Sequence, residues 1–161
     1  MDFMLSDKVK QAINISQAIA KEFMHSEFSP AHMLKALLHK EIGLVTILEN
    51  MGKDFYYMEE WADVRIENYP KASKISEQPS ADIDVKSVFN EADNVRLKIS
   101  EDSITPMCIL IALTIPGVGF SYEQLKTFNL NEKELLEKVI EDTNIENVVG
   151  ETTSSQTKES T

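Results

Sequence analysis

Three histidines stand seven residues apart, at positions 25, 32 and 39, a spacing that invites a metal-ligand reading. Pro30 and the loop HSEFS at 25–29 interrupt the helix they would have to share, so His25 is cut off from the other two. His32 and His39 can lie on one helical face, but two ligands do not make a site. Histidines satisfied in the core or solvated at the surface are the simpler expectation. Cys108 would be a nucleophile beside a histidine. It lies instead in the apolar run MCILIAL at 107–113, where cysteine behaves as a small buried hydrophobe. The carboxylate pairs Glu59 with Glu60 and Glu101 with Asp102 can do acid–base work only beside a convergent partner, and no Ser, His or Lys constellation accompanies them. The patterns GxxxxGK(S/T), GxGxxG, GxSxG and HExxH are absent. No active site, metal or cofactor is expected, and the chain is read as a non-enzyme.

What remains is surface. Seven methionines and seven phenylalanines exceed what the core stripes need. Phe3, Met4 and Leu5 precede the first helix, and FYYM at 55–58 clusters near Trp61. Most belong in the core; any that line a groove supply the adaptable contacts of a peptide-binding surface.

The elements that position these residues come from one unit used twice. A shift of about 76 residues lays 9–37 over 85–113, matching Val9 with Val85, Lys10 with Lys86, Asn14 with Asn90, Pro30 with Pro106, Leu34 with Leu110, Ala36 with Ala112 and Leu37 with Leu113. The apolar stripe Val9, Ala12, Ile13, Ser16, Ile19, Ala20 and Phe23 steps at helical spacing. Its later copy is Val85, Val88, Phe89, Ala92, Val95, Arg96 and Ile99, broken only by Arg96.

Taken in order, Ser6 is an N-cap candidate for a helix running to about Met24. Pro30 opens a second helix to about Lys40, a third covers Leu44 to Met51 before Gly52, and Asp54 caps a fourth through Ile66. The polar stretch 68–83, with Pro70 and Pro79, is the inter-repeat linker. Four further helices are predicted at 85–100, 107–115, 121–128 and 131–142. The reading is all-α: eight short helices in two pseudo-twofold repeats, one over about 5–67 and one over 84–143. No strand alternation of useful length is present. Residues 144–161, small and polar, are read as a flexible tail or linker.

The length of 161 residues suits one domain with a real core. A net charge of -11 argues against nucleic acid, whose phosphates would be repelled. No apolar run approaches the roughly 18 residues of a membrane span, and MDFMLSDK lacks the features of a signal peptide. One cysteine fits a reducing compartment, so a cytoplasmic protein is expected.

The segments LSDKVKQAI at 5–13, ISQAIAKEF at 15–23, SPAHMLKALL at 29–38 and ILENMG at 47–52, with TPMCILIAL and LKTFNLN in the second half, resemble the Clp N-terminal domain. That domain is a double Clp repeat found at the front of Clp-type AAA+ ATPases. The resemblance covers about 4–142, and the second repeat is the more degenerate, with Cys108 where the family has histidine. It implies a helical, non-catalytic domain joined to a hexameric AAA+ ring. Such domains bind unfolded segments, specific client proteins or adaptors and pass them on. In disaggregases of the family a threonine starting the first helix and acidic residues before the second repeat's Pro-containing helix border a hydrophobic groove. Those positions fall on Ser6 and Glu101, with Val95 and Cys108 as apolar lining. A further acidic position falls on Met107, a departure that makes the groove more apolar here. The family also includes the ATPase that recycles type VI secretion sheaths, whose partner is a sheath component, and a stand-alone Clp-repeat protein is a further alternative.

Overall fold

The computed structural model describes residues 3–154, with side chains through residue 143. Among them run eight α-helices: α1 (Asp7–Glu22), α2 (Pro30–Leu37), α3 (Leu44–Asn50), α4 (Phe55–Asn68), α5 (Ile83–Lys98), α6 (Pro106–Leu113), α7 (Tyr122–Leu125) and α8 (Glu132–Ser154). A single 3-10 turn, Lys40–Ile42, lies between α2 and α3.

Local chemistry sets the helix starts. Ser6 caps α1, its side chain accepting from the Val9 N–H at 3.2 Å. Asp82 caps α5, accepting from the Val85 N–H at 2.8 Å, which moves the start of that helix two residues ahead of the predicted one. Pro30 and Pro106 occupy the first turns of α2 and α6, where a missing N–H costs nothing. Asp54 caps α4 through the Tyr56 and Tyr57 N–H groups. The last helix departs from expectation: its backbone stays helical to Ser154, so the first part of the predicted tail at 144–161 continues α8, and 155–161 lie outside the described residues.

Two short strands that the periodicity did not signal tie the repeats together. β1 (Glu27–Phe28) and β2 (Ser80–Ala81) pair in parallel, Phe28 facing Ala81. An isolated parallel bridge sets Leu5 against Ile104. The two pairings are one pairing made twice, since a 76-residue shift carries Leu5 to Ala81 and Phe28 to Ile104. The hydrogen bonds match: the Asp82 N–H donates to the Phe28 carbonyl at 3.0 Å and the Ser6 N–H to the Ile104 carbonyl at 3.0 Å. Each repeat's approach to its second helix therefore grips the other repeat's approach to its first. Such reciprocity is what a two-fold exchange requires. Pieces of two residues are too short to leave an alternation in the sequence.

The core lies along α2 and α6. Met33, Leu34, Ala36 and Leu37 of α2 are buried, as are Cys108 to Leu113 throughout α6. A helix apolar on all sides must be enclosed, and α2 packs on α1, α4, α5 and α6. Val9, Ala12, Ser16, Ile19 and Ala20 of α1 are buried, matched by Val85, Val88, Phe89, Ala92 and Val95 of α5. The stripe-breaking Arg96 turns aside, its Nε paired with Asp93 at 2.7 Å and a guanidinium N–H donating to the Glu101 carbonyl at 3.1 Å. Gly119 closes the seam between repeats: a Cβ there would stand 2.8 Å from Val88 Cγ2 and 3.3 Å from both Leu113 Cδ2 and Pro30 Cβ.

Candidate functional site

The Leu5–Ile104 bridge brings Ser6 beside the loop that carries Glu101. It lays residues 4–6 beside the loop from Glu101 to Thr105, the Ile104 N–H donating to the Met4 carbonyl at 2.8 Å. Ser6 is half-buried, Glu101 exposed and Met107 half-buried at the first turn of α6. Val95 and Cys108 do not join them. Val95 is 1% exposed and Cys108 0%, because both belong to the stripes that face the core, and the Cys108 thiol contacts the Thr105 hydroxyl at 3.3 Å. The predicted apolar lining at those two positions is therefore core. Of the apolar residues noted ahead of the first helix, Met4 is 71% exposed beside the bridge; Leu97, not singled out in the sequence, is 63% exposed on the outer side of α5. The signal available for Leu97 was its place outside the stripe 85, 88, 89, 92, 95.

The histidines are arranged differently from the sequence expectation. His25 and His32, not His32 and His39, come together, with His25 Nδ1 2.9 Å from His32 Nε2 in a buried contact. The Ser29 N–H donates to His32 Nδ1 at 2.9 Å. His32 therefore carries its proton on Nε2 and donates to His25. The loop 25–29, expected to separate the rings, folds back over the start of α2. Tyr69 closes the cluster edge-on to His25, ring centroids 5.8 Å apart, and its hydroxyl accepts from the Ala31 N–H. Burial pushes the His32 pKa down to about 3, with His25 adding a smaller effect. Burial lowers His25 as well, countered in part by the Tyr69 main chain and reinforced by Lys71. Burial also raises Tyr69 to about 12. His39 is exposed and caps the 3-10 turn, accepting from the Glu41 N–H. The facing nitrogens of His25 and His32 are spent on each other, and among the described residues no group of three or more His, Cys, Asp or Glu is placed to hold a metal.

The aromatic cluster at 55–58 is divided. Met58 and Trp61 are core, with Trp61 packed edge-on to Phe120 at 4.9 Å and donating from Nε1 to Thr127 Oγ1 at 2.9 Å. Arg65 lies over its ring at 3.9 Å. The Phe120 and Thr127 contacts run from α4 to the residues on either side of α7 and so join the two repeats. Tyr56 remains exposed. The carboxylates Glu60, Glu101 and Asp102 are exposed and Glu59 half-buried. No helix among the described residues is long and apolar enough to cross a membrane.

The linker is fastened rather than loose. The Ala72 N–H donates to the Met24 carbonyl at 2.8 Å, Lys71 Nζ to the Phe23 carbonyl at 3.2 Å, and Gln17 Nε2 to the Pro79 carbonyl at 3.0 Å.

Comparison with known proteins agrees with this geometry. The family model of the Clp repeat (R) N-terminal domain matches residues 4–128. The chaperone protein ClpB of Agrobacterium fabrum is 28% identical over 122 residues, 75% of this chain and 14% of the relative. The chain thus spans about a seventh of that relative's length. Among solved structures, the Hsp104 N-terminal domain from Candida albicans superposes with a TM-score of 0.70 at 17% identity, covering 86% of this chain and 90% of the other. A complex of the ClpV N-domain with VipB peptide gives a TM-score of 0.62 at 17% identity, covering 82% of each chain.

Proposed function

Because the chain belongs to the Clp repeat N-terminal domain family, we propose that it captures protein segments, unfolded clients foremost, and hands them to the AAA+ ring of a hexameric Clp-type ATPase. The domain itself is non-catalytic, and its sequence holds no nucleotide-binding motif. The observation that carries the reading is the surface built by the Leu5–Ile104 bridge. There the exposed Met4 stands on the segment that ends at Ser6, beside the loop that runs from Glu101 to half-buried Met107. Flexible methionine contacts suit varied partners. Each apolar anchor buried is worth roughly 1.5–3 kcal/mol, enough for capture yet weak enough for release. Several copies on one ring raise the effective concentration, so weak single contacts suffice. The net charge of -11 favours neutral or basic clients.

The ClpV N-domain, of the same fold, has been solved with a VipB peptide, which supports reading this fold as a peptide-holding one. The proposal places the protein in the cytoplasm, where such clients arise. Pulldown with the chain separates the branches. A spread of unfolded clients supports the proposal, while a single adaptor or a sheath-component helix would assign a dedicated branch. Recovery of no polypeptide under low salt would contradict it.

A further inference from the structure

Repeat one seals the end of its first helix with its own chain. Beyond Asn68 the linker leaves α4, Tyr69 packs on His25 and His32, Lys71 Nζ donates to the Phe23 carbonyl and the Ala72 N–H to the Met24 carbonyl. A shift of 76 residues carries Phe23 and Met24 to Ile99 and Ser100. The match is structural: Phe23 and Ile99 are the C-caps of α1 and α5, and Met24 and Ser100 share a left-handed backbone, φ 62 and 60. The two repeats part at their last helices. The α8 backbone continues to Ser154 where α4 gives way to an extended segment. Among the described residues no N–H donates to the Ile99 or Ser100 carbonyl. In place of a docked chain there is a groove of about 480 Å³ between Lys98, Ile99, Ser100, Leu136, Val139 and Ile140.

We propose that this groove holds an extended segment of a partner protein that meets the end of α5 as residues 71–72 meet the end of α1. An apolar side chain fills the cleft between Ile99, Val139 and Ile140. A backbone N–H of the segment donates to the Ser100 carbonyl, and a lysine or arginine donates to the Ile99 carbonyl, close to the exposed Glu101. Lys71 of the internal segment gives the basic member of the occupant, the apolar lining of Ile99, Val139 and Ile140 calls for its apolar member, and the acidic balance of the chain favours a basic partner. Ile140 is 57% exposed, so a partner has apolar surface to cover. The inference deepens the peptide-capture reading and rests on it, but it concerns the end of α5 against α8 and not the bridged strand at Met4.

The probe is a synthetic octapeptide of the sequence at 67–74, ENYPKASK, titrated into the full isotope-labelled chain and followed by amide chemical shifts. Saturable shifts at Lys98, Ile99, Ser100 and Val139, with a Kd of about 1 mM or below, are expected. Ile140→Glu, and separately a peptide with alanine for its tyrosine, should each weaken binding about tenfold. No saturable shift, or shifts confined to 23–25 through displacement of the native linker, would overturn the proposal. Equal affinity for Ile140→Glu would do so too. Unfolded-client capture by the Ile140→Glu chain separates the two claims. Capture retained with peptide binding lost supports the groove as a distinct site. Peptide binding in a wild-type chain that captures no client upholds the groove and removes the broader reading.

Discussion

Met24 and Ser100, separated by 76 residues, share the same left-handed backbone, with φ of 62 and 60. Neither is glycine, so each carries strain of roughly 1 kcal/mol, held by the α1 and α5 C-caps that precede them. A β-branched residue there should be worse than either. Ser100→Val is expected to lower unfolding free energy by about 1–2 kcal/mol, and Ser100→Gly to change it by under about 0.5 kcal/mol. Denaturant midpoints of the two variants against the parent check this.

Ser6 and Asp82 occupy equivalent places, each capping its helix and each donating its own N–H to the strand of the other repeat. Loss of the side-chain cap alone should cost about 1 kcal/mol in each case. Ser6→Ala and Asp82→Ala, measured by urea denaturation, should therefore give similar losses, and the double variant should be near the sum because the two caps share no partner.

Gly119 meets Pro30 from the first repeat and Val88 and Leu113 from the second. Gly119→Ala overpacks this seam and should cost about 1–3 kcal/mol. Gly43→Ala is a useful comparison. Its Cβ would meet nothing within 4 Å but its φ is 96, so any loss there comes from backbone strain and not from crowding.

Stability should fall in acid through the buried histidine pair. Both folded-state pKa values lie below the ordinary 6.5, His32 at about 3. The unfolded chain therefore binds protons that the folded one refuses as pH drops below 6.5, and stability is lost from there down toward about 3. For His32 alone the loss reaches about 2 kcal/mol at pH 5. Urea midpoints at pH 7 and 5 should show it. His32→Asn, which keeps an acceptor for the Ser29 N–H, should flatten the dependence; an unchanged slope in that variant would remove His32 as its source.

The helices were legible because their stripes and caps are local signals: Ser6, Asp54 and Pro30 do in the structure what their positions suggest. The 76-residue repeat was legible for the same reason, as matched residues recur on matched faces. The strands joining the repeats were not, since a two-residue pairing leaves no period to read. Val95 shows the limit of carrying a groove over by position. It lies on the buried stripe with Val85, Val88, Phe89 and Ala92, and its own spacing pointed inward. His25 and His32 met for a reason no sequence window contains, a loop closed by Tyr69 from 37 residues beyond His32. The end of α8 was misplaced because its polar composition past 142 resembles a linker.

The central claim, capture of unfolded protein at the bridged surface, is tested most directly by fluorescence anisotropy with a labelled, permanently unfolded client. The substituted chain Met4→Glu changes only an exposed side chain and should keep its helicity and melting temperature. The parent should bind saturably and the variant at least about tenfold more weakly, as loss of one apolar anchor requires. Equal affinity in a folded variant would contradict the account.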